Sequence, residues 1–432
     1  MIDIQEKKDC VGCWSCVQRC PKRCISMRED REGFLYPAVD ASLCIDCGLC
    51  EKVCPVIRQD APREPLGVYA AINRDDEIRL ASSSGGVFTL LAEAIIRKGG
   101  VVFGAGFNEN WEVVHSHTET LEGLAPFRGS KYVQSRIGNC YKEAEAFLKS
   151  GREVLFSGTP CQIAGLRRFL RKDYPNLTAV DFICHGAPSP GIFRQYLEEQ
   201  ISGIARQCDG KISVSSRPVP SLSEKGGLRL PAGMRIEDIS FRDKRQGWKK
   251  YSFVLDLSMA SAAGGKNTVL FSYSQTFHEN AFMRGFLRDL YLRPSCHACP
   301  AKELKSGADL TLGDYWGIGS LMPELDDDKS VGVVIVNSER GENLLGQIEV
   351  ELHEAPLEDV AMKNPSLLHP VGIPANRAAF FAIRQGGLLQ AIVKSCRLTF
   401  RQRMRNKLSH ILRKFLGKRM EGLIKKLLRR DR

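Results

Sequence analysis

The sequence lacks the features that usually mark exported or membrane-spanning chains. Its first residues, MIDIQEKKDC, contain no apolar core of the kind found in a signal peptide. No uninterrupted apolar run approaches the roughly 18 residues that a membrane span needs. Its hydrophobic content of 43% and charged content of 26% are typical of a soluble globular protein. We therefore expect a cytoplasmic protein, and we interpret its 16 cysteines as metal ligands in preference to disulfide partners.

Outside its last 36 residues the chain carries no net charge. Residues 397–432 contain 14 Lys and Arg against 2 Asp and Glu, which accounts for the whole net charge of +12. Apolar residues recur there at helical spacing with basic residues between them, a pattern typical of an amphipathic helix on an anionic membrane surface. An acidic partner such as a ferredoxin and nucleic acid are the alternatives. The sustained apolar stripe favours the membrane, so we expect peripheral attachment to its inner face and no nucleic acid.

Two copies of one cysteine pattern stand near the amino end. Each reads C-x2-C-x2-C-x3-C-P, which is the spacing of bacterial ferredoxins with two 4Fe–4S clusters, where the fourth cysteine of each copy binds the other cluster. Pro21 and Pro55 are expected to open helices. The predicted ligands are Cys10, Cys13, Cys16 and Cys54 for cluster 1, and Cys20, Cys44, Cys47 and Cys50 for cluster 2.

Structural zinc and a disulfide framework are the competing interpretations of this pattern. Zinc sites use two CxxC pairs rather than a triplet followed by Cys-Pro, and disulfides are unexpected in a chain without an export signal. Cys24 falls outside the pattern and is interpreted as a small buried residue behind cluster 2.

The rest of the chain predicts an α/β architecture after the ferredoxin domain. Residues 154–157 and 177–183 are expected strands, each followed by a turn and a helix, so the sheet should be parallel or mixed. Ligands of such sheets gather beyond the carboxyl ends of the strands, where Cys161 and Cys184 fall. The predicted divisions are a ferredoxin domain at 1–60, an α/β region at 61–150 and another at 151–350, a helical extension at 351–396 and the basic tail at 397–432. A polar, glycine-rich insertion is expected at 206–235.

Two glycine-containing segments bear on nucleotide binding. Residues 82–86, Ser-Ser-Ser-Gly-Gly, precede a predicted helix, and they suit either a phosphate at the helix start or simple N-capping by serine. Gly104-Ala105-Gly106 resembles half of a dinucleotide fingerprint, but no third glycine follows. The turn residues Asn108-Glu109-Asn110 instead predict a hairpin.

A third cluster is an open question from the residues alone. Cys296 and Cys299 form one CxxC pair, which needs two further ligands. The strand-end cysteines Cys161 and Cys184 are candidates, and Cys140, Cys208 and Cys396 are equally available in principle.

Taken in order, the later motifs resemble those of the coenzyme F(420) hydrogenase/dehydrogenase beta-subunit family, in its bacterial branch with a fused ferredoxin domain. The resemblance covers residues 1 to about 350. The segments that carry it are Ser84-Gly85-Gly86-Val87, Gly129-Ser130-Lys131-Tyr132, Gly158-Thr159-Pro160-Cys161-Gln162, Cys184-His185-Gly186, the CxxC pair, and Ala308-Asp309-Leu310-Thr311-Leu312-Gly313-Asp314.

The resemblance implies a cytoplasmic iron–sulfur flavoprotein that passes electrons between a carrier and an organic acceptor or a deazaflavin. It implies that Ser84, Gly85, Gly86, Lys131 and Thr159 bind FAD, and that Cys161, Cys184, Cys296 and Cys299 bind a third 4Fe–4S cluster. His185 is a candidate proton donor, or a hydrogen-bond partner of a cluster thiolate. The expected function is a ferredoxin-linked reductase, with a non-catalytic electron-transfer subunit and a deazaflavin oxidoreductase as alternatives. The long basic tail and the insertion depart from the hydrogenase subunit.

Overall fold

The computed structural model describes residues 1–208, 228–260 and 268–397. The predicted amphipathic helix of the tail lies outside the described residues, as does most of the predicted insertion. The insertion is shorter than expected, because residues 206–208 end a helix and residues 234–235 begin a strand. No helix in the described ranges is long and apolar enough to cross a membrane.

The strands of the described residues are numbered along the chain. They are β1 (Ile25–Glu29), β2 (Leu35–Val39), β3 (Gly67–Ile72), β4 (Val101–Phe107), β5 (Val113–Thr118), β6 (Val154–Ser157), β7 (Leu177–Phe182), β8 (Met234–Asp243), β9 (Ser252–Ala260), β10 (Thr268–Thr276), β11 (Leu310–Asp314), β12 (Gly332–Val336) and β13 (Glu351–Glu354).

The α-helices are numbered in the same way. They are α1 (Ser15–Arg19), α2 (Leu49–Lys52), α3 (Asp76–Ala81), α4 (Val87–Arg97), α5 (Cys140–Lys149), α6 (Pro160–Leu170), α7 (Pro190–Cys208), α8 (Ala281–Phe286), α9 (Ile318–Leu321), α10 (Glu339–Leu345), α11 (Leu357–Lys363), α12 (Arg377–Ile383) and α13 (Leu388–Ser395).

The amino-terminal domain consists of β1 and β2, paired antiparallel, and the short helices α1 and α2. Each helix follows a residue in the left-handed conformation, Trp14 before α1 and Gly48 before α2. Pro21 and Pro55 were expected to open helices, and that expectation is wrong. Both lie in turns, because each short helix begins beside the third cysteine of its pattern and ends before the fourth, so that the chain reverses at the proline.

The larger sheet is mixed, with the described strands in the order β13-β3-β12-β11-β7-β6-β4-β5. Strands β4, β6, β7 and β11 pair parallel to one another. Strand β12 runs antiparallel between β11 and β3, so β3 points the same way as the parallel set. The predicted α/β fold with a mixed sheet after a ferredoxin domain is confirmed. The sheet takes strands from both sides of residue 150, and the predicted helical extension begins with β13.

Alternating side chains of the central strands are buried on opposite faces, as the two-residue period of a strand requires. Val154 and Phe156 of β6 pack in the core beneath α5 and α6, whereas Leu155 packs with α4 and α10 on the other face. The near-continuous apolar sequence of such strands follows from burial on both sides.

A second sheet contains β8, β9 and β10 in antiparallel order and packs against α7, α8 and α13. The alternating sequence of residues 235–250 predicts a strand, but β8 ends at Asp243; β10 was not predicted. The expected hairpin is present, because β4 and β5 pair antiparallel on either side of a turn at residues 108–111. The Gly104 segment is therefore part of a hairpin strand and not a dinucleotide loop.

The topology gives the larger sheet two chemically distinct edges. The carboxyl ends of β3, β6, β7 and β11 lead into the segments that hold the predicted cofactor residues. The opposite edge contains the amino ends of the same strands and the carboxyl end of α6. Ligand sites of open α/β sheets lie beyond the carboxyl ends.

Candidate cofactor sites

Two sets of thiols line separate hollows in the amino-terminal domain. The fourth cysteine of each pattern lies with the first three of the other copy, as the crossed arrangement predicts. The sets are Cys10, Cys13, Cys16 and Cys54 around one hollow, and Cys20, Cys44, Cys47 and Cys50 around the other. Within the described ranges, no group of three or more His, Cys, Asp or Glu side chains is arranged to hold a single metal ion. Sets of four thiols around a hollow fit the ligand requirement of 4Fe–4S clusters.

Cys24 is buried, as predicted, but it also lines the second hollow. Its Sγ lies 3.3 Å from the Sγ of Cys20. The hydrogen bond with Cys20, followed by burial, raises the pKa of Cys24 to about 11. Cys24 is therefore a protonated thiol in contact with a predicted ligand of cluster 2.

The thiols of the first hollow lie in an apolar environment that opposes their ionisation. Burial, followed by the charge of Cys54, raises the pKa of Cys13 to about 12. Burial also raises the pKa of Cys16 and that of Cys54. Thiolates are stable in such surroundings when a bound metal supplies the positive charge, and metal binding then releases their protons.

Four cysteines from three separate segments meet beyond the carboxyl ends of the central strands. Cys161 stands in the first turn of α6, Cys184 follows β7, and Cys296 and Cys299 belong to a turn before β11. Burial, followed by the charges of Cys299 and Cys184, raises the pKa of Cys161. Burial is the main cause that raises the pKa of Cys184 to about 12. The structure thus brings together the four cysteines that the family resemblance implies.

The four-cysteine group lies against the first hollow of the ferredoxin domain. The Ser15 hydroxyl donates a hydrogen bond of 2.8 Å to the Gly165 carbonyl, one helical turn after Cys161. A Cβ atom at Gly165 would lie 2.8 Å from the Cβ of Cys13. The charge of Cys13 is also among the causes that raise the pKa of Cys161. The helix that carries Cys161 is therefore in van der Waals contact with the loop that carries Cys13.

Arg293 occupies the space between the two sites and was not identified from the sequence. It is 1% exposed, and its Nε donates to the Cys10 carbonyl at 2.7 Å. Its Nη2 lies 3.5 Å from the Cys10 Sγ, and its guanidinium stacks over the ring of Tyr36. The Cys296 N–H in turn donates to the Arg293 carbonyl at 2.8 Å. Arg293 therefore places a buried positive charge beside a predicted ligand of cluster 1.

The serine–glycine segment lies at the carboxyl end of β3. The Ser84 hydroxyl donates to the Gly313 carbonyl at 2.8 Å, and a Cβ at Gly85 would lie 2.3 Å from the Ala71 carbonyl oxygen. Gly86 has a φ of +80° and directly precedes α4, whose first turn receives no side-chain cap. The interpretation as N-capping by serine is therefore wrong. The unpartnered N–H groups of a helix start favour an anion.

Lys131 and Thr159 lie in different surroundings. The segment of Lys131 joins the serine–glycine segment, because the Ser130 N–H donates to the Ser83 hydroxyl at 2.5 Å. The Lys131 ammonium donates to the Arg128 carbonyl at 2.7 Å, and burial lowers the pKa of Lys131 to about 7. Thr159 instead begins α6 in a capping box, and its hydroxyl lies 3.3 Å from the Cys161 Sγ.

A buried arginine completes the polar lining of this edge. Nη1 of Arg242 donates to Asp314 at the end of β11 at 2.5 Å. Its Nε and Nη2 are buried and have no hydrogen-bond partner among the described residues. The guanidinium lies 4.7 Å from the ring centroid of Tyr251 and 5.3 Å from that of Trp316. Because a buried unpaired donor is costly, this arrangement fits a bound group with acceptor oxygens.

Comparison with known families agrees with this geometry. Residues 9–57 match the model of the 4Fe-4S dicluster domain. Residues 151–206 and 230–359 match the model of the carboxyl-terminal part of the coenzyme F420 hydrogenase/dehydrogenase beta subunit. The predicted resemblance is confirmed. The chain is an iron–sulfur protein of an oxidoreductase family whose dicluster domain binds two 4Fe–4S clusters.

Individual relatives match parts of the chain. The F(420)H(2) dehydrogenase of Methanosarcina mazei has an F subunit that is 28% identical over 182 residues, which are 40% of this chain and 51% of that protein. The chain thus spans about half the length of that relative. Ferredoxin 7Fe of Hydrogenibacillus schlegelii is 44% identical over 64 residues, 14% of this chain and 76% of that protein.

One solved structure also shares partial similarity. It is a chain of the F420-reducing [NiFe] hydrogenase complex from Methanosarcina barkeri, studied by xenon derivatization. It superposes with a TM-score of 0.42 at 16% identity, over 77% of this chain and 92% of that chain.

His185 forms a hydrogen-bonded pair in the beta-subunit domain. Its Nε2 lies 2.6 Å from Asp289 Oδ1, and its ring meets that of Phe286 edge-on at 5.4 Å. Phe286 contacts Tyr132, next to Lys131 in the chain, with ring centroids 4.7 Å apart. His185 therefore connects the four-cysteine group to the segment of Lys131 through two aromatic rings.

Sequence reasoning missed Arg242 and Lys302 as well as Arg293. The Lys302 ammonium donates to the carbonyls of Cys184 and Ser366, at 2.6 and 2.5 Å. Lys302 follows the CxxC pair by three residues, and that proximity was the only available signal. Arg242 had no motif around it, because its role depends on where β8 meets β11.

Proposed function

We propose that this protein passes electrons from a ferredoxin-type donor through 4Fe–4S clusters and FAD to an organic acceptor. The described residues support a third 4Fe–4S cluster held by Cys161, Cys184, Cys296 and Cys299. They also support an FAD site beside it at the carboxyl edge of the larger sheet. The substrate is an organic molecule that accepts two electrons.

The observation that carries the proposal is the contact between the loop of Cys13 and the helix of Cys161. A one-electron path requires neighbouring centres, and the hydrogen bond from Ser15 to Gly165 holds the two thiol groups in adjacent positions. The absence of a side chain at Gly165 permits the close approach. A ferredoxin domain fused only by its linker would need no such contact.

Neighbouring groups orient the four thiols of the proposed third site and offset the negative charge of the thiolates. Lys302 lies near Cys184 and acts against the effect of burial on its pKa. The Ala187 N–H donates to the Cys296 Sγ at 3.3 Å, and the Thr159 hydroxyl contacts the Cys161 Sγ. Hydrogen bonds of this kind orient thiolate ligands and tune a cluster.

The proposed flavin site combines an open helix start with two cations. The first turn of α4 and Lys131 would bind the pyrophosphate, and the unpaired N–H groups of Arg242 would bind acceptor oxygens of FAD. Ser84 and Gly85 position the helix start by packing against the sheet. Thr159 would contact FAD from the side of the four-cysteine group. FAD, when bound, supplies the conversion between one-electron and two-electron chemistry.

His185 is proposed to hold a proton for the acceptor. Asp289 Oδ1 accepts a hydrogen bond from the ring Nε2, which fixes the orientation of the ring. The alternative is a purely orienting role beside Cys184. Replacing His185 by Gln would lower turnover with the clusters and FAD retained if the ring supplies the proton.

The proposal is tested by the cofactor content of anaerobically purified protein. We expect about 12 iron atoms and one FAD per chain, since each 4Fe–4S cluster contributes four iron atoms. The double variant Cys161→Ser/Cys299→Ser should lose about four iron atoms and keep the other eight. Arg242→Met should lose FAD and keep all the iron.

Cys140→Ser and Cys396→Ser are the matched controls, because both thiols are buried and neither belongs to the four-cysteine group. They should retain the full iron content. Protein that binds eight iron atoms and no flavin would contradict the reductase proposal.

A second candidate is a non-catalytic electron-transfer subunit of a larger assembly. The similarity to a protein named as a dehydrogenase subunit favours it, and coenzyme F420 would then be the acceptor of the assembly. FAD-containing protein that reduces neither F420 nor other organic acceptors without further subunits would support this candidate.

Residues 397–432 are proposed to bind an anionic membrane surface, from their sequence alone. A chain ending at residue 396 should keep its iron and lose sedimentation with vesicles rich in anionic lipid. Equal sedimentation of the two proteins would contradict the membrane proposal.

A further inference from the structure

A large cleft lies on the edge of the sheet opposite to the proposed cofactor sites. Its volume is about 1160 Å³. Its floor includes Asn176 and Thr178 at the start of β7, and Asp309 just before β11. The end of α6 forms one wall, and the segment from Lys52 to Arg63 forms another. Nothing proposed above uses this cleft.

Basic residues outnumber acidic ones in the lining of the cleft, nine to five. Some of its arginines are paired within the protein, such as Arg167 with Asp309 and Arg168 with Asp60. Six other basic side chains lie beyond ion-pair distance of any acidic group in the described residues. They are Lys52, Arg58, Arg63, Lys98, Arg171 and Lys172. All six are exposed, so the cleft presents a surplus of positive charge to solvent.

One wall of the cleft belongs to the ferredoxin domain. Lys52 stands two residues after Cys50, and Arg58 stands four residues after Cys54, whose carbonyl accepts a hydrogen bond from the Arg58 N–H at 3.0 Å. The basic wall therefore includes the chain that supplies cysteines to both predicted clusters. An electron that enters from this side therefore arrives at the domain that holds both predicted clusters.

The ferredoxin domain, which forms this wall, also exposes apolar side chains. Ile57 is 58% exposed beside Arg58, and Leu43 and Ile45, on either side of Cys44, are 55% and 58% exposed. Cys47 is itself exposed. Protein interfaces combine apolar contacts with a charged rim that sets the association rate. A surface for nucleic acid would be more uniformly basic and would not need the apolar contacts.

We propose that this basic cleft and the exposed apolar residues of the ferredoxin domain form the docking site for a small acidic electron-carrier protein. The inference rests on the proposed function and adds the place at which the donor binds. One electron leaves the reduced centre of the carrier, which is oxidised, and enters the ferredoxin domain, which is reduced. No bond forms or breaks, and no proton is needed.

The test uses the full chain with its clusters and a purified acidic bacterial ferredoxin. The double variant Arg58→Glu/Lys172→Glu reverses two charges in the cleft. Its control, Arg235→Glu/Lys250→Glu, makes the same charge change at exposed residues on and beside the three-stranded sheet. Binding of oxidised ferredoxin is measured without turnover, and reduction by reduced ferredoxin is followed by stopped flow.

We expect the cleft variant to bind ferredoxin roughly tenfold or more weakly at low ionic strength and to be reduced more slowly by a similar factor. The difference should shrink in about 0.5 M salt, which screens exposed charges. Reduction by dithionite should be equal in all proteins. The control variant should behave as the unmodified chain.

Three results would overturn the inference in distinguishable ways. Equal binding and reduction of the cleft and control variants would refute the docking site while leaving the function intact. A chain that dithionite reduces but reduced ferredoxin does not would refute the proposed donor as well. Loss of binding to a short DNA duplex in the cleft variant, with unchanged ferredoxin kinetics, would assign the cleft to nucleic acid.

Discussion

Replacing Arg293 by Met should lower the reduction potential of cluster 1. The guanidinium is 1% exposed and donates to the Cys10 carbonyl, with its Nη2 also 3.5 Å from the Cys10 thiol. Reduction adds a negative charge to the cluster, so a buried cation stabilises the reduced state more than the oxidised one. Net charge and hydrogen bonds near the sulfur atoms are established determinants of cluster potentials.

The expected size of the shift follows from the strength of one charged hydrogen bond. Such bonds contribute about 1.5–3 kcal/mol, and 1.4 kcal/mol corresponds to about 59 mV for one electron. We therefore expect the potential of cluster 1 to fall by about 60–130 mV in Arg293→Met. Arg293→Lys keeps the charge and loses most of the hydrogen bonds, so its shift should be smaller.

The assay is an anaerobic redox titration monitored by electron paramagnetic resonance. Cluster 2 is the internal reference, because Arg293 contacts none of its predicted ligands. Arg377→Met is the matched control, since Arg377 is also an arginine with a largely buried side chain but pairs with Glu32. Equal shifts of both clusters, or equal shifts in the Arg293 and Arg377 variants, would refute the reasoning.

Three further predictions concern single residues. Gly12→Ala should lower the free energy of unfolding by about 1–3 kcal/mol, because the φ of Gly12 is +69° and a Cβ would lie 2.9 Å from the buried Arg293 guanidinium. Thermal unfolding measures the change. The control is Gly48→Ala, which has a similar φ but open space around it and should be less destabilising. Gly165→Ala should lower the free energy of unfolding by about 1–3 kcal/mol, because the added Cβ would push the loop of Cys13 away from α6. The control, Gly203→Ala, has open space in α7 and should be neutral or stabilising. The affinity for FAD, followed by fluorescence, should fall as the pH rises through about 7, because the Lys131 ammonium then loses its charge. Lys131→Arg should remove this pH dependence. An unchanged pH profile in that variant would contradict the proposed binding of FAD by Lys131.

The cysteine spacing was enough to predict the ferredoxin domain, because its ligands come from two local repeats. The strand–turn–helix pattern at residues 154–170 likewise predicted where Cys161 would lie. Both predictions depend on short-range order, which the local sequence determines. No helix begins at Pro21 or Pro55, contrary to expectation, because the turns of metal-binding loops are set by the ligand geometry rather than by helix-capping preferences.

The functions of Arg293 and Arg242 could not be predicted, because each depends on contacts distant in sequence. Arg293 reaches Cys10 across 283 positions, and Arg242 reaches Asp314 across 72. A single arginine carries no local signal that it will be buried. The basic cleft was missed for the same reason, since its walls come from the ferredoxin domain, α6 and the segment around α10.

The position of β3 constrains how the chain folds during its synthesis. This strand, complete at residue 72, lies between β12 and β13, which end at residues 336 and 354. At about 5–20 residues per second, the ribosome needs roughly 13–50 seconds to make the first of these partners. The ferredoxin domain can therefore fold and bind its iron before either strand partner of β3 has been synthesised. We therefore expect the yield of the intact protein to depend on the supply of chaperones that shield unpaired strands during translation.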